Sequence, residues 1–135
     1  MQLVRVVARS AFHLLPTHTR SFLDYWLRGN FLLGLSRGPF NGQAARAKLV
    51  LQIIQCIPLA RIVETGTHRG VTTRFLSEHF CGPLATVESD ARYYYFARHV
   101  LRHATNVSLH LGASVDFSIG TTCLADSKVP LSCPE

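Results

Sequence analysis

This chain predicts an α/β domain built on a short parallel sheet, and three observations predict it. From residue 45 onward, helix-period stretches alternate with short apolar runs, in the order helix, strand, helix, strand, helix, strand. A turn-rich loop, Glu64-Thr65-Gly66-Thr67-His68-Arg69-Gly70, follows the first run directly. An acid, Glu88, ends the second run 22 residues after Gly66.

The elements follow in order. Leu3, Val7, Ala11 and Leu14 recur at helical spacing, and Pro16 stops that helix. Ser21-x-x-Asp24 reads as a capping box opening a second short helix that Gly29 ends. Arg37-Gly38-Pro39-Phe40-Asn41-Gly42 is a loop by composition. Ala45, Leu49, Ile53 and Cys56 then trace the apolar face of a helix that Pro58 terminates. Ile62-Val63 is the first strand. Val71, Phe75, Leu76 and Phe80 give the helix after the glycine loop, and Cys81-Gly82-Pro83 closes it with Gly82 as a left-handed cap. Leu84 to Val87 is the second strand. Asp90 caps a helix whose inner face is Phe96, Ala97, Val100 and Leu101, and Asn106 breaks it. Val107 to Leu111 alternates as a half-buried third strand, and Gly112-Ala113-Ser114 turns out of it. Strands joined through helices pair in parallel, by right-handed crossovers. Residues 118–135, with Pro130 and Pro134, have no periodicity and read as an irregular tail.

The net charge of +6 sits entirely in residues 1–60, which hold seven Lys/Arg against Asp24 alone; residues 61–135 hold seven of each sign. Such a basic arm suits a solvated helix face, with nucleic acid or an anionic membrane surface as alternatives, and no nucleic-acid motif accompanies it. The acid-free start also faintly resembles an organelle transit peptide, against which stands a structural N-terminal helix. No apolar stretch approaches the length of a membrane span. Cys56, Cys81, Cys123 and Cys133 form no C-x-x-C pair, so the expectation is reduced thiols in a cytoplasmic protein, Cys56 a small core residue and no metal site. His99 and His103 are four apart but lack a third ligand.

The glycine loop carries the chemistry. A strand, a glycine loop and a helix together present backbone amides to a ligand. Dinucleotide binding asks for G-x-G-x-x-G; here the pattern is E-x-G-x-x-x-G, with Glu64, Gly66 and Gly70. A carboxylate at the strand tip repels a pyrophosphate and suits a cationic ligand. Glu88 stands where an acid accepts hydrogen bonds from ribose hydroxyls, and Asp90 is either a second contact or the helix cap, the cap being the stronger reading. His68 as a general base and Tyr93-Tyr94-Tyr95-Phe96 as a stacking platform are weaker readings than a loop contact and a packed helix face.

Glu64 to Thr73, with Val87-Glu88-Ser89-Asp90, resembles motifs I and II of class I, Rossmann-fold, S-adenosylmethionine-dependent methyltransferases. The wider likeness, to a bacterial-type branch of that superfamily, covers residues 39–117. It implies a partial Rossmann-like sheet of three strands, order 3-2-1, preceded by N-terminal helices and lacking the second half of the fold. The implied organisation is a basic helical arm at 1–38, the cofactor-binding domain at 39–117 and the tail at 118–135. Gly66, Thr67 and His68 would line the methionine end of the cofactor, Glu88 would hold the ribose, and Gly112 to Ser114 would pass the adenine; Gly70 and Ser89 complete the candidate set. Ala113 departs from the aspartate usual in this branch, which removes an acceptor for the adenine. No catalytic residue is identified. The expectation is a shortened S-adenosylmethionine-dependent methyltransferase with an unknown, small-molecule acceptor, self-associating through the open sheet edge. The alternative is a non-catalytic cofactor-binding remnant or interaction module.

Overall fold

A computed structural model describes residues 14–29 and 38–116; most of the helix expected over 3–15 and all of the 118–135 tail lie outside the described residues. In chain order come α1 (Thr17–Asp24), a π-helical turn (Tyr25–Gly29), a 3-10 turn (Pro39–Gly42), α2 (Ala44–Cys56), β1 (Ile62–Thr65), α3 (Val71–His79), β2 (Leu84–Glu88), α4 (Ala91–Val100), β3 (Val107–Leu111) and a 3-10 turn (Ser114–Asp116).

The three strands form one sheet, ordered β1-β2-β3, with both pairings parallel. This is the predicted 3-2-1 order read from the other edge. Thr65 pairs with Val87 and Glu88 with Leu111, so all three strands end on one edge of the sheet. β2 is central and every residue in it is buried, from Thr86 at 0% exposure to Glu88 at 6%. That is the expected state of a parallel strand with a neighbour on each side and cover on its faces. Leu76, Phe80, Phe96, Ala97, Val100 and Leu101 complete the core from the two crossover helices, and α4 exposes none of its four predicted inner-face residues. Asp90 caps α4 as expected, its carboxylate accepting from the Arg92 amide at 2.7 Å.

Four expectations need correction. α1 starts at Thr17, after Pro16, rather than at Ser21. Ser21 is fully buried inside it, and its hydroxyl bonds the carbonyls of Thr17 and Arg92, both at 2.9 Å, so the serine fastens α1 to α4 instead of capping it. Gly82 is not left-handed; α3 ends at an extended Phe80. What requires glycine there is proximity, because a Cβ would stand 2.5 Å from the Phe80 ring. α2 forms, but Leu49 is 56% and Ile53 40% exposed, and Cys56 is exposed as well. Its more covered residues are Ala47, Val50, Leu51 and Ile54. This helix carries apolar residues at two interleaved helical spacings, and its periodicity alone does not choose between the two faces. Finally, Cys56 is a free thiol but Cys81 is disulfide-bonded, so the expectation of reduced cysteines fails at that residue.

Candidate cofactor site at the strand tips

The parallel register brings the ends of β1, β2 and β3 together, the place where open α/β sheets bind ligands. Backbone bonds then tie the tips to one another. Gly66 and Thr67 both donate their amides to the Val87 carbonyl, at 2.9 and 3.3 Å, and Gly112 donates to the Glu88 carbonyl at 2.9 Å.

The glycine loop is a run of unusual backbone. Gly66 (φ 79°), His68 (φ 51°) and Gly70 (φ 74°) are all left-handed. Glycine is the residue that takes such angles without strain, which explains positions 66 and 70; His68 takes one at a cost. Four of the loop's amides are spent internally. Besides the two on Val87, the His68 amide donates to Glu88 Oε2 at 2.6 Å and the Gly70 amide to the Thr67 carbonyl at 2.9 Å. A phosphate cradle needs amides turned outward, and these four are not.

Glu88 is the hinge of the site. Its Oε2 takes the His68 amide, and its Oε1 takes the Asp90 amide at 2.9 Å. Two charge-assisted bonds fix the carboxylate at the strand tip, and each oxygen retains a second lone pair for an incoming hydroxyl.

Glu64 is placed differently from the sequence reading. It lies opposite Thr86 in the register, and its Oε2 accepts from Thr73 Oγ1 at 2.5 Å and from Thr86 Oγ1 at 3.0 Å. Thr67 Oγ1 is 2.6 Å from Thr86 Oγ1; because Thr86 gives its proton to Glu64, Thr67 is the donor to Thr86. Glu64 therefore anchors a buried hydroxyl chain beneath the loop. Burial pushes its carboxyl above the ordinary value of 4.5, and the two threonine hydroxyls pull in the opposite direction.

The candidate residues sort accordingly. Gly66, His68, Glu88 and Gly112 meet at the tips, and at Gly66 and Gly112 a Cβ would find nothing within 4 Å, which leaves their backbones open to a ligand. Thr67 and Gly70 are buried, and a Cβ added at Gly70 would press on Ala97 and Leu101, so both shape the loop from within. Ser89 and Ser114 are exposed on the same edge. The His68 ring lies 4.2 Å from that of Tyr93, and burial, followed by the Arg69 charge, lowers its pKa, so the loop presents a neutral imidazole.

Sequence reading missed the roles of three residues, Thr73, Thr86 and Asn106, and it weighed Tyr93 only as part of an aromatic run, without its contact to His68. The Asn106 amide donates to the carbonyls of Phe80 (2.7 Å) and Gly82 (3.3 Å), clamping the start of β2. Thr86 had a visible signal, being a polar β-branched residue inside the apolar run Leu84 to Val87, whereas Thr73, between Thr72 and Arg74, had none.

No protein-family model and no curated protein matches the chain. Solved structures do. The O-methyltransferase TomG from Streptomyces achromogenes, involved in tomaymycin synthesis and solved with S-adenosylmethionine, is 26% identical over 58% of this chain and 40% of its own, with a TM-score of 0.50. The O-methyltransferase from Bacillus cereus with S-adenosylhomocysteine is 23% identical over 55% of this chain and 36% of its own (TM-score 0.49). The amino pentose methyltransferase CalS10 from Micromonospora echinaspora is 24% identical over 56% of this chain and 31% of its own (TM-score 0.47). The chain thus spans well under half the length of each. Strand order, parallel register and the TomG likeness together give these residues a Rossmann-like fold, similar to part of an S-adenosylmethionine-bound O-methyltransferase.

Proposed function

We propose that the strand tips bind S-adenosylmethionine and that the chain provides the cofactor half of a methyltransferase for a small-molecule acceptor. One observation carries this reading: the glycine loop closes onto Glu88, with the amides of Gly66, Thr67, His68 and Gly70 spent, at the sheet edge where a ribose would sit. A loop with those four amides turned inward suits a cofactor without phosphate. Gly66 and Gly112 leave open space at the same edge. TomG supports the identification of the cofactor, since its structure contains S-adenosylmethionine, and its part in tomaymycin synthesis supports a small-molecule acceptor.

In this reading Glu88 accepts from the ribose hydroxyls, Gly66 and His68 border the methionine portion, and Gly112 to Ser114 border the adenine. The cofactor, when bound, supplies an electrophilic methyl on a sulfonium. This chain binds and orients it: Glu88 fixes the sugar, and the neutral His68 ring adds no positive charge against the ammonium and sulfonium.

Calorimetry with S-adenosylhomocysteine and, separately, with NAD tests the proposal. S-adenosylhomocysteine is expected to bind and NAD to give no comparable heat. Tighter binding of NAD would sink it.

A further inference from the structure

A groove of about 660 Å³ runs between α1 and the C-terminal half of α4, and the strand-tip site does not use it. Phe22 and Tyr95 supply apolar surface, and Arg98, Arg102, His18 and His99 surround it; among the described residues no acid lines it. Arg102 is held in place, its Nη1 donating to Tyr25 Oη at 2.5 Å and to the His99 carbonyl at 3.1 Å. The Arg98 guanidinium lies 5.9 Å from the Tyr94 ring centre. His99 packs edge-on to Phe22 (5.3 Å) and stacks on Tyr25 (5.4 Å), while His18 meets Tyr95 at 6.2 Å.

The carbonyl end of α4 accounts for Arg98 and His99, because helix C-termini favour cations. It does not account for Arg102 beyond that helix and His18 from α1 converging on the same aromatic surface. The cations act on the histidine between them: burial, then the charges of Arg98 and Arg102, lower the pKa of His99. A purely apolar occupant would strip water from two guanidiniums and return nothing, while a bare inorganic anion would leave Phe22, already 49% exposed, in water. A ligand with both parts satisfies both surfaces, and the volume lies in the range of small-molecule sites.

We propose that this groove binds a small anionic aromatic ligand, its ring against Phe22 and Tyr95 and its carboxylate or equivalent head on Arg98 and Arg102. The site is separate from the cofactor edge. Asp90 at the start of α4 adjoins Glu88, and Arg98 lies eight residues on, about 12 Å away along the helix axis. Occupancy is therefore independent of what the strand tips bind.

The test uses 2-naphthoate and its neutral counterpart 2-naphthalenemethanol, titrated into the whole chain by calorimetry and followed by NMR at His99. Naphthoate should bind at least tenfold more tightly than the alcohol and should raise the His99 pKa. Arg98→Gln should erase the difference and Arg98→Lys should restore most of it, with circular dichroism confirming that both fold. Saturating S-adenosylhomocysteine should leave naphthoate affinity unchanged. Equal affinity for acid and alcohol, displacement by S-adenosylhomocysteine, or adsorption to phosphatidylglycerol vesicles without naphthoate binding would each overturn the proposal.

Discussion

Glu88 is fixed by two backbone amides and, in the proposed function, accepts from a ribose as well. Glu88→Ala should weaken S-adenosylhomocysteine binding by about 1.5–3 kcal/mol, roughly ten- to a hundredfold, the range for hydrogen bonds to a charged group. Calorimetry on folded variant decides it, and affinity equal to the parent would remove Glu88 from the site. Glu64 makes a prediction of another kind. Its folded-state pKa is raised, so just above 4.5 the folded chain holds a proton that the unfolded chain has lost. Stability from this group is fully present below 4.5 and falls as pH rises through the raised value. Glu64→Gln keeps an acceptor for Thr73 and Thr86 but has no such window. Its urea midpoint relative to the parent should therefore climb with pH from about 4.5 and then level off; a difference that stays flat would contradict the buried, proton-retaining carboxyl. The sequence placed both acids near the site, because spacing along a strand is local. It did not orient Glu64, because Thr73 and Thr86 approach it only once α3 and β2 are packed.

Among the elements, the crossover helices were legible and α1 was not. α3 and α4 each carry one clear apolar stripe, and Asp90 supplies a cap that composition reveals. α2 carries two interleaved stripes, so its existence was readable and its covered face was not. α1 docks through residues about seventy positions away: buried Ser21 on the Arg92 carbonyl, and Asp24 ion-paired with Arg92, whose Nε lies 3.1 Å from Oδ2. The Asp24 side chain is only 13% exposed, whereas that of Arg92 is 47% exposed, so solvent screens the pair from one side. Arg92→Ala should cost about 1–2 kcal/mol, by removing the two guanidinium bonds to the Asp24 carboxylate. Denaturant midpoints check this. Adding Asp24→Ala to Arg92→Ala should cost less than the two single losses summed, and strict additivity would show that the pair contributes nothing.

At the scale of the whole molecule, topology was the most legible feature, because alternating periods and short connections leave few ways to arrange three parallel strands. What topology produces is a single edge at which three loops, each from a different strand, are hydrogen-bonded into one surface: Gly66 to Val87, His68 to Glu88, Gly112 to Glu88. A ligand spanning that edge bonds β1, β2 and β3 at once, so in the proposed function it must stabilise the fold as a unit. At a hundred times its dissociation constant, a ligand specific to the folded state adds about 2.7 kcal/mol. In a chain of this size that corresponds to a rise in Tm of roughly 10 °C. S-adenosylhomocysteine should produce such a rise, NAD at the same concentration should not, and Glu88→Ala should require correspondingly more S-adenosylhomocysteine to match it. Hydrogen exchange locates the effect, with slowed amides expected at Gly66, His68 and Gly112 together. Protection confined to one loop would mean that the ligand sits on a single strand tip, and the shared edge would lose its role as the binding surface.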